Sequence, residues 1–285
     1  MLILDGKKVS ESRRNDLKNK VQEFVNKYKR KPCLAVMLIG DDPASHVYVR
    51  NKIKACEFVG IDSVKVQLGV ETTQAQLETQ LNKLNMDTAV DGILVQMPLP
   101  KHLNEARVLE LTSPLKDVDG FGYLNQGLLV AGLAKVAACT PQGVINILDF
   151  YQIPIAGKNC VVVGRSQIVG KPMALLLLQR NATVTVCHSK TNDLRSFTKN
   201  ADIVVAAAGQ KHLLGKDDFK KGAVVIDVGI HGSGKPNEKL CGDVRFDELH
   251  DWAFAATPVP GGVGPMTITT LLENTLTLAN LRMTK

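Results

Sequence analysis

The chain has 285 residues, 45% of them apolar, with a net charge of +7 and an isoelectric point near 9.0. That length accommodates one large domain or two, and the apolar content excludes global disorder. The positive charge does not mark a nucleic-acid binder, because the basic residues are dispersed and aromatics make up only 5%; a positive cleft that draws in a small anionic substrate or cofactor fits better.

MLILDGKKVS (1–10) reads as a strand entering a turn, without the residue order of a secretory signal. CLAVMLIG (33–40) is a buried strand. Ser45, two residues after Pro43, stands at an N-cap position for a helix, SHVYVRNKIKACEFVG, that closes at Gly60. SVKVQLG (63–69) is a second strand, 72–85 an amphipathic helix, and AVDGILVQMPLP (89–100) a third strand stopped by its prolines. Past AACTP, Thr140 caps a helix with Pro141 at its first position. A strand, a glycine turn and a helix fill 157–180, and further strands follow at 182–190, 201–210 and 222–230. The tail from Met266 is one amphipathic helix, expected to dock back on the first domain.

This alternation predicts two α/β domains with largely parallel sheets. The first spans 1–138 and takes in the C-terminal helix 267–285; the second, 139–266, is a Rossmann-type dinucleotide-binding domain. No apolar run has membrane-spanning length, the longest lying within 174–179. Cys33, Cys56, Cys139, Cys160, Cys187 and Cys241 show neither close pairing nor zinc spacing. Reduced thiols in a cytoplasmic protein and no bound metal are the expectation.

The turn Gly164-Arg165-Ser166-Gln167-Ile168-Val169-Gly170 departs from G-x-G-x-x-G, but it joins a strand to a helix whose free N–H groups can hold a pyrophosphate. A tight turn without a ligand is the plain alternative. NAD sites place a carboxylate about 20 residues on, for the ribose 2′-hydroxyl. Here Cys187-His188-Ser189-Lys190 stands there, with no carboxylate before Asp193. Arg165 and Lys190 with Ser166 and Ser189 suit a 2′-phosphate, which favours NADP.

In YVRNK (48–52), Tyr48 and Lys52 are four residues apart and share one helix face. A lysine in a short basic run is ordinarily solvated; burial or neighbours must make it reactive. Gln96 is polar in an apolar strand, Asp119 lies in KDVDGFG, and PVPGGVGP (258–265) is a rigid yet open loop. Singly each has a plain structural explanation. All fall at strand ends, where α/β sheets place ligands.

YVRNK (48–52), DGILVQMPLP (91–100), KDVDGF (116–121), GRSQIVGKP (164–172) and TPVPGGVGPMT (257–267) together resemble the bifunctional methylenetetrahydrofolate dehydrogenase/methenyltetrahydrofolate cyclohydrolase family. The motifs are long, in the family's order and spread over nearly the whole chain. Gly122, Ala138 and His231 depart from the pattern, where histidine, proline and asparagine are common. The resemblance implies a folate-binding domain followed by an NADP domain, in a cytoplasmic homodimer of one-carbon metabolism and purine biosynthesis. It implies oxidation of 5,10-methylenetetrahydrofolate with NADP, then hydrolysis to 10-formyltetrahydrofolate. It further implies Lys52 as the catalytic lysine, with Tyr48 beside it, Gln96 supporting it and Asp119 holding the pterin. Pro260, Gly261 and Gly262 would line the folate site, and Gly164, Arg165, Ser166, Ser189 and Ile230 would contact NADP. A dehydrogenase without the hydrolase step, a shikimate-type dehydrogenase and a silent folate- or nucleotide-binding protein are the alternatives.

Overall fold

A computed structural model describes residues 1–232 and 240–284 of the chain. The elements alternate from the start. Strand β1 (Leu2–Ile3), helix α1 (Gly6–Tyr28), β2 (Cys33–Ile39), α2 (Pro43–Val59), β3 (Asp62–Leu68), α3 (Gln74–Met86) and β4 (Gly92–Val95) are followed by short helices α4 (Glu105–Leu111) and α5 (Tyr123–Val130). Then come α6 (Cys139–Phe150), β5 (Asn159–Val163), α7 (Gly170–Gln179), β6 (Thr183–Cys187), α8 (Leu194–Thr198), β7 (Ile203–Ala206), β8 (Val224–Asp227), β9 (Ala255–Ala256) and α9 (Val263–Met283). They form two compact units, one of Met1–Glu11 with Thr140–Thr267 and the other of Ser12–Cys139 with Ile268–Lys285.

The unit of Ser12–Cys139 is built on a three-stranded parallel sheet, β3-β2-β4. Every residue of β2 is buried, as a central parallel strand covered on both faces requires. One core lies between the sheet and α1, α2 and α9, where Leu17, Val21, Phe24, Val36, Cys56 and Leu272 meet. On the opposite face Met37, Leu77, Leu81 and Ile93 pack α3 against the strands.

The unit that begins with Met1 holds a six-stranded parallel sheet ordered β1-β9-β8-β7-β5-β6. β5 pairs with β6 on one side and β7 on the other, so the chain reverses direction of travel there. Ligands bind at such a switch point, beyond the C-terminal strand ends.

Several elements differ from the sequence expectation. The sequence places residues 1–11 in the first domain, yet β1 extends the six-stranded sheet, with Leu2 opposite Ala255 and Ile3 opposite Ala256. The 23-residue α1 has no counterpart in the expected elements. The cap of α2 is Asp42, whose carboxylate accepts the Ser45 N–H at 2.8 Å, because Pro43 with its fixed φ takes the first helical position. Helix α6 starts at Cys139, so Thr140 lies inside it and its hydroxyl meets that of Thr267 at 3.0 Å.

Candidate active site

Helix α2 presents Tyr48 and Lys52 one turn apart, because capping by Asp42 sets its first turn. Lys52 is half-buried, and its Nζ donates to Gln96 Oε1 at 2.9 Å. Gln96 follows β4 directly, and its backbone N–H bonds Met37 O on the neighbouring strand. Its own Nε2 donates to Met97 O at 2.7 Å, so the amide oxygen is the end turned to the lysine. Tyr48 is more exposed, at 46%. Burial lowers the Lys52 pKa below the ordinary lysine value, and Asp119 and Cys139 work against that shift.

Asp119 sits in a loop that its neighbour builds. Asp117 is buried, and its Oδ2 accepts from Gly122 N at 2.8 Å and Asn125 Nδ2 at 2.9 Å, while its Oδ1 accepts from Phe121 N at 3.3 Å. Gly120 has φ +66°, and a Cβ there would stand 3.0 Å from the Ala137 carbonyl carbon. Asp119 is thereby held beside segment 137–139 with its carboxyl pushed up to about 6, chiefly by burial; nearby Lys52 opposes this, Asp117 adds to it and the polar thiol of Cys139 opposes it.

In the other unit, Gly164 follows β5 with φ +131°, and a Cβ on it would collide with Ala207 O at the end of β7. A Cβ on Gly170 would collide with Gly164 O. Glycine is required at both positions by close backbone approach at the switch point. Ser166 Oγ accepts the N–H groups of Val169 and Gly170 at 3.2 and 3.3 Å, so it occupies part of the helix start that the sequence reading left free for a pyrophosphate. Gly164 N donates to Cys187 O at 2.8 Å, which sets the GRS turn beside the turn holding Ser189 and Lys190. Arg165, Ser166, Ser189 and Lys190 are all exposed there. Asp193 is spent as the cap of α8, accepting from Ser196 N at 3.3 Å. Two cations and two hydroxyls without a competing carboxylate fit a 2′-phosphate.

Ile230 is 48% exposed after β8. Its neighbour His231 places Nε2 2.7 Å from Oδ1 of Asp243, a fully buried carboxylate. Asp243 also gathers the N–H groups of Ala208, Gly209 and Gln210 at 2.7–3.0 Å. Asp227 in turn accepts from Gly229 N, Asp243 N and Val244 N. Pro260, Gly261 and Gly262 lie in this same unit, where Gly261 has φ +105° and its carbonyl accepts from Lys7 N at 3.2 Å. Sequence reasoning missed Asp117, Cys139, Asp227 and Asp243. The pairs D-x-D in KDVDG and G-D-V at 242–244 were the available signals.

The sequence profile described as "Tetrahydrofolate dehydrogenase/cyclohydrolase, catalytic domain" matches residues 4–119, and its "NAD(P)-binding domain" counterpart matches 138–283. The chain belongs to the tetrahydrofolate dehydrogenase/cyclohydrolase family. The bifunctional protein FolD of Bdellovibrio bacteriovorus is 59% identical over 99% of this chain and 98% of that protein. The crystal structure of bifunctional FolD from Campylobacter jejuni is 48% identical, with a TM-score of 0.94 over 99% of each chain. The Trypanosoma brucei enzyme, crystallised with NADP and an inhibitor, is 37% identical with a TM-score of 0.96 over 100% of this chain and 99% of that one. Membership makes this chain an NADP-dependent methylenetetrahydrofolate dehydrogenase and methenyltetrahydrofolate cyclohydrolase.

Proposed function

We propose that both reactions are carried by the cluster of Lys52, Gln96 and Asp119. Lys52 is the acid–base group, Gln96 its holder, and Asp119 the carboxylate that accepts from adjacent pterin N–H groups. The observation behind this reading is the Lys52–Gln96 hydrogen bond at 2.9 Å on a half-buried lysine with lowered pKa. The family resemblance adds Pro260, Gly261 and Gly262 as the loop lining the folate.

In the oxidation, 5,10-methylenetetrahydrofolate loses hydride from its one-carbon bridge, and the two flanking nitrogens share the cation that remains. NADP supplies the hydride acceptor. Gly164, Arg165, Ser166, Ser189 and Ile230 would hold it, with Arg165 and the two serines toward the 2′-phosphate. The protein's part in this step is orientation. In the hydrolysis, water adds to the methenyl carbon and Lys52, neutral for part of the time, takes a proton from it. Lys52 then returns a proton to N5 as the bond from that nitrogen to the carbon breaks, which leaves 10-formyltetrahydrofolate and one proton for solvent. A lysine of ordinary pKa is almost wholly protonated at neutral pH and cannot start this sequence. Gln96 cannot ionise, so it orients Lys52 without adding charge. Tyr48 offers a hydroxyl one turn away that can steer the water.

The product is a formyl donor, which supports a place in one-carbon metabolism and purine biosynthesis. A homodimer is supported by the open edge of the first sheet, where β3 has no outer partner among the described residues and its Val64 is 44% exposed. Free thiols support a cytoplasmic setting, and no helix among the described residues is long and apolar enough to cross a membrane.

The test is a two-signal assay on methylenetetrahydrofolate with NADP or NAD. Reduced nucleotide should rise with NADP while the methenyl intermediate stays low. One-for-one accumulation of methenyl would contradict the hydrolytic half, and equal rates with NAD would contradict the 2′-phosphate site.

A further inference from the structure

The loop that carries Asp119 is held from a distant part of the chain. Asn274, on α9, is buried, and its Nδ2 donates to Val118 O at 2.8 Å and to Ala137 O at 3.0 Å. Its two protons are thereby spent on two different segments. The sulfur of Cys139 lies 3.6 Å from the same nitrogen, and its thiol donates to Val118 O at 3.4 Å. The Val118 carbonyl belongs to the peptide unit that joins Val118 to Asp119, so fixing its oxygen fixes the plane from which the Asp119 side chain departs.

No strand does this work at that point. Among the described residues, the backbone of segment 116–118 is tied to β4 through Lys116 O, which accepts Ile93 N at 2.7 Å, and a bridge between Ile93 and Asp117. Two residues along, Val118 O takes its partners from Asn274 and Cys139. Ala137, the second segment under the clamp, is the residue whose backbone packs on Gly120. Asn274 thus pins both walls of the turn in which Asp119 sits.

We infer that Asn274 is a positioning residue for the folate site, acting through the Val118–Asp119 peptide and the 137–139 segment. This rests on the reading of Asp119 as the pterin-binding carboxylate. A side chain of equal size without donors should leave the turn in place on average but free the carboxylate to wander. Losses of two orders of magnitude from misplacements of about 1 Å are known for groups that orient substrate.

The experiment compares Asn274→Leu, Asp119→Asn and the double variant in the full-length protein, with melting temperature and NADP affinity as fold controls. Asn274→Leu should raise KM for methylenetetrahydrofolate about tenfold or more, at an NADP dissociation constant within twofold of the parent. The double variant should be no worse than Asp119→Asn alone, because two residues acting through one group are not additive. Asn274→Ser, which keeps one donor, should fall between parent and Leu, and it carries the same readouts should the leucine variant not fold. A fall in rate that follows only the folded fraction, with the folate KM unchanged, would overturn the inference and leave Asn274 a structural residue. A folate KM unchanged in Asp119→Asn would instead overturn the underlying reading of Asp119.

Discussion

Lys52 Nζ donates to Gln96 Oε1 across 2.9 Å, and the amide cannot turn its other end to the lysine because Nε2 is bonded to Met97 O at 2.7 Å. The arrangement holds the lysine without adding charge. Gln96→Glu would place a carboxylate there and raise the Lys52 pKa, against the lowering that burial causes. Cyclohydrolase activity of that variant should fall at neutral pH by about tenfold or more and recover as pH is raised, since each pH unit below the lysine pKa costs tenfold in neutral amine. A flat pH–rate profile for the variant would count against Lys52 as the base.

Asp119 gives a pH dependence of opposite sense. Its carboxyl is pushed up to about 6, mainly by burial. Below that pH it is protonated and loses one of the acceptor sites that the proposed pterin contact uses. KM for the folate should therefore rise as pH falls through about 6, and Asp119→Asn should start high and show no such limb. The stability effect has the reverse sign. A carboxyl raised above its unfolded value favours the fold below that unfolded value and loses the advantage as pH rises through 6. Asp119→Asn should thus melt at a higher temperature than the parent at pH 7, the gap closing toward pH 4 in a calorimetric series.

The proposed 2′-phosphate contact makes Arg165 the residue on which the cofactor preference is tested. It is exposed on the turn after β5, whose Gly164 N–H bonds Cys187 O at the end of β6, two residues before Ser189. A charge-assisted hydrogen bond to the 2′-phosphate contributes roughly 1.5–3 kcal/mol, or about 10- to 150-fold in affinity. Arg165→Ala should raise KM for NADP by about that factor and leave KM for NAD unchanged. An equal rise for both would place Arg165 on the pyrophosphate instead.

Stability in the unit of Ser12–Cys139 has one concentrated point. The fully buried carboxylate of Asp91 accepts from Arg30 Nη1 and Nη2 at 2.7 and 2.6 Å, Arg282 Nη1 at 2.9 Å and Cys33 N at 2.9 Å. It joins the end of α1, the end of α9 and the start of β2. Asp91→Ala would strand two partly buried cations, at a cost of about 3 kcal/mol once their residual hydration is allowed for. Urea unfolding should show a lowered midpoint with little change in slope, and a shift below about 1 kcal/mol would show that the network contributes little.

What the sequence made legible follows from range. CLAVMLIG and the VVV of β5 announce buried parallel strands because their apolar runs are continuous. Gly60, which ends α2 as expected, and Gly164 in the turn after β5 are local matters of φ. Helix α1 was missed although Leu17, Val21, Phe24 and Tyr28 carry its period, because charged residues outnumber them over the first two turns. β1 is only two residues long, and its partner β9 lies some 250 positions away. The same holds at the site. Lys52, Gln96 and Asp119 sit in motifs, whereas Asn274 and Cys139 act through contacts between segments that no local pattern reveals.

Lys52 is proposed to carry the hydrolytic half. The most direct test is to follow reduced nucleotide and the methenyl intermediate together in the parent and in Lys52→Met, with NADP present. The parent should release reduced nucleotide while methenyl stays low. In Lys52→Met, cyclohydrolase activity should drop by roughly 10²- to 10⁴-fold, so that methenyl accumulates one-for-one with whatever nucleotide is still reduced. Near-normal cyclohydrolase activity in Lys52→Met would contradict the claim.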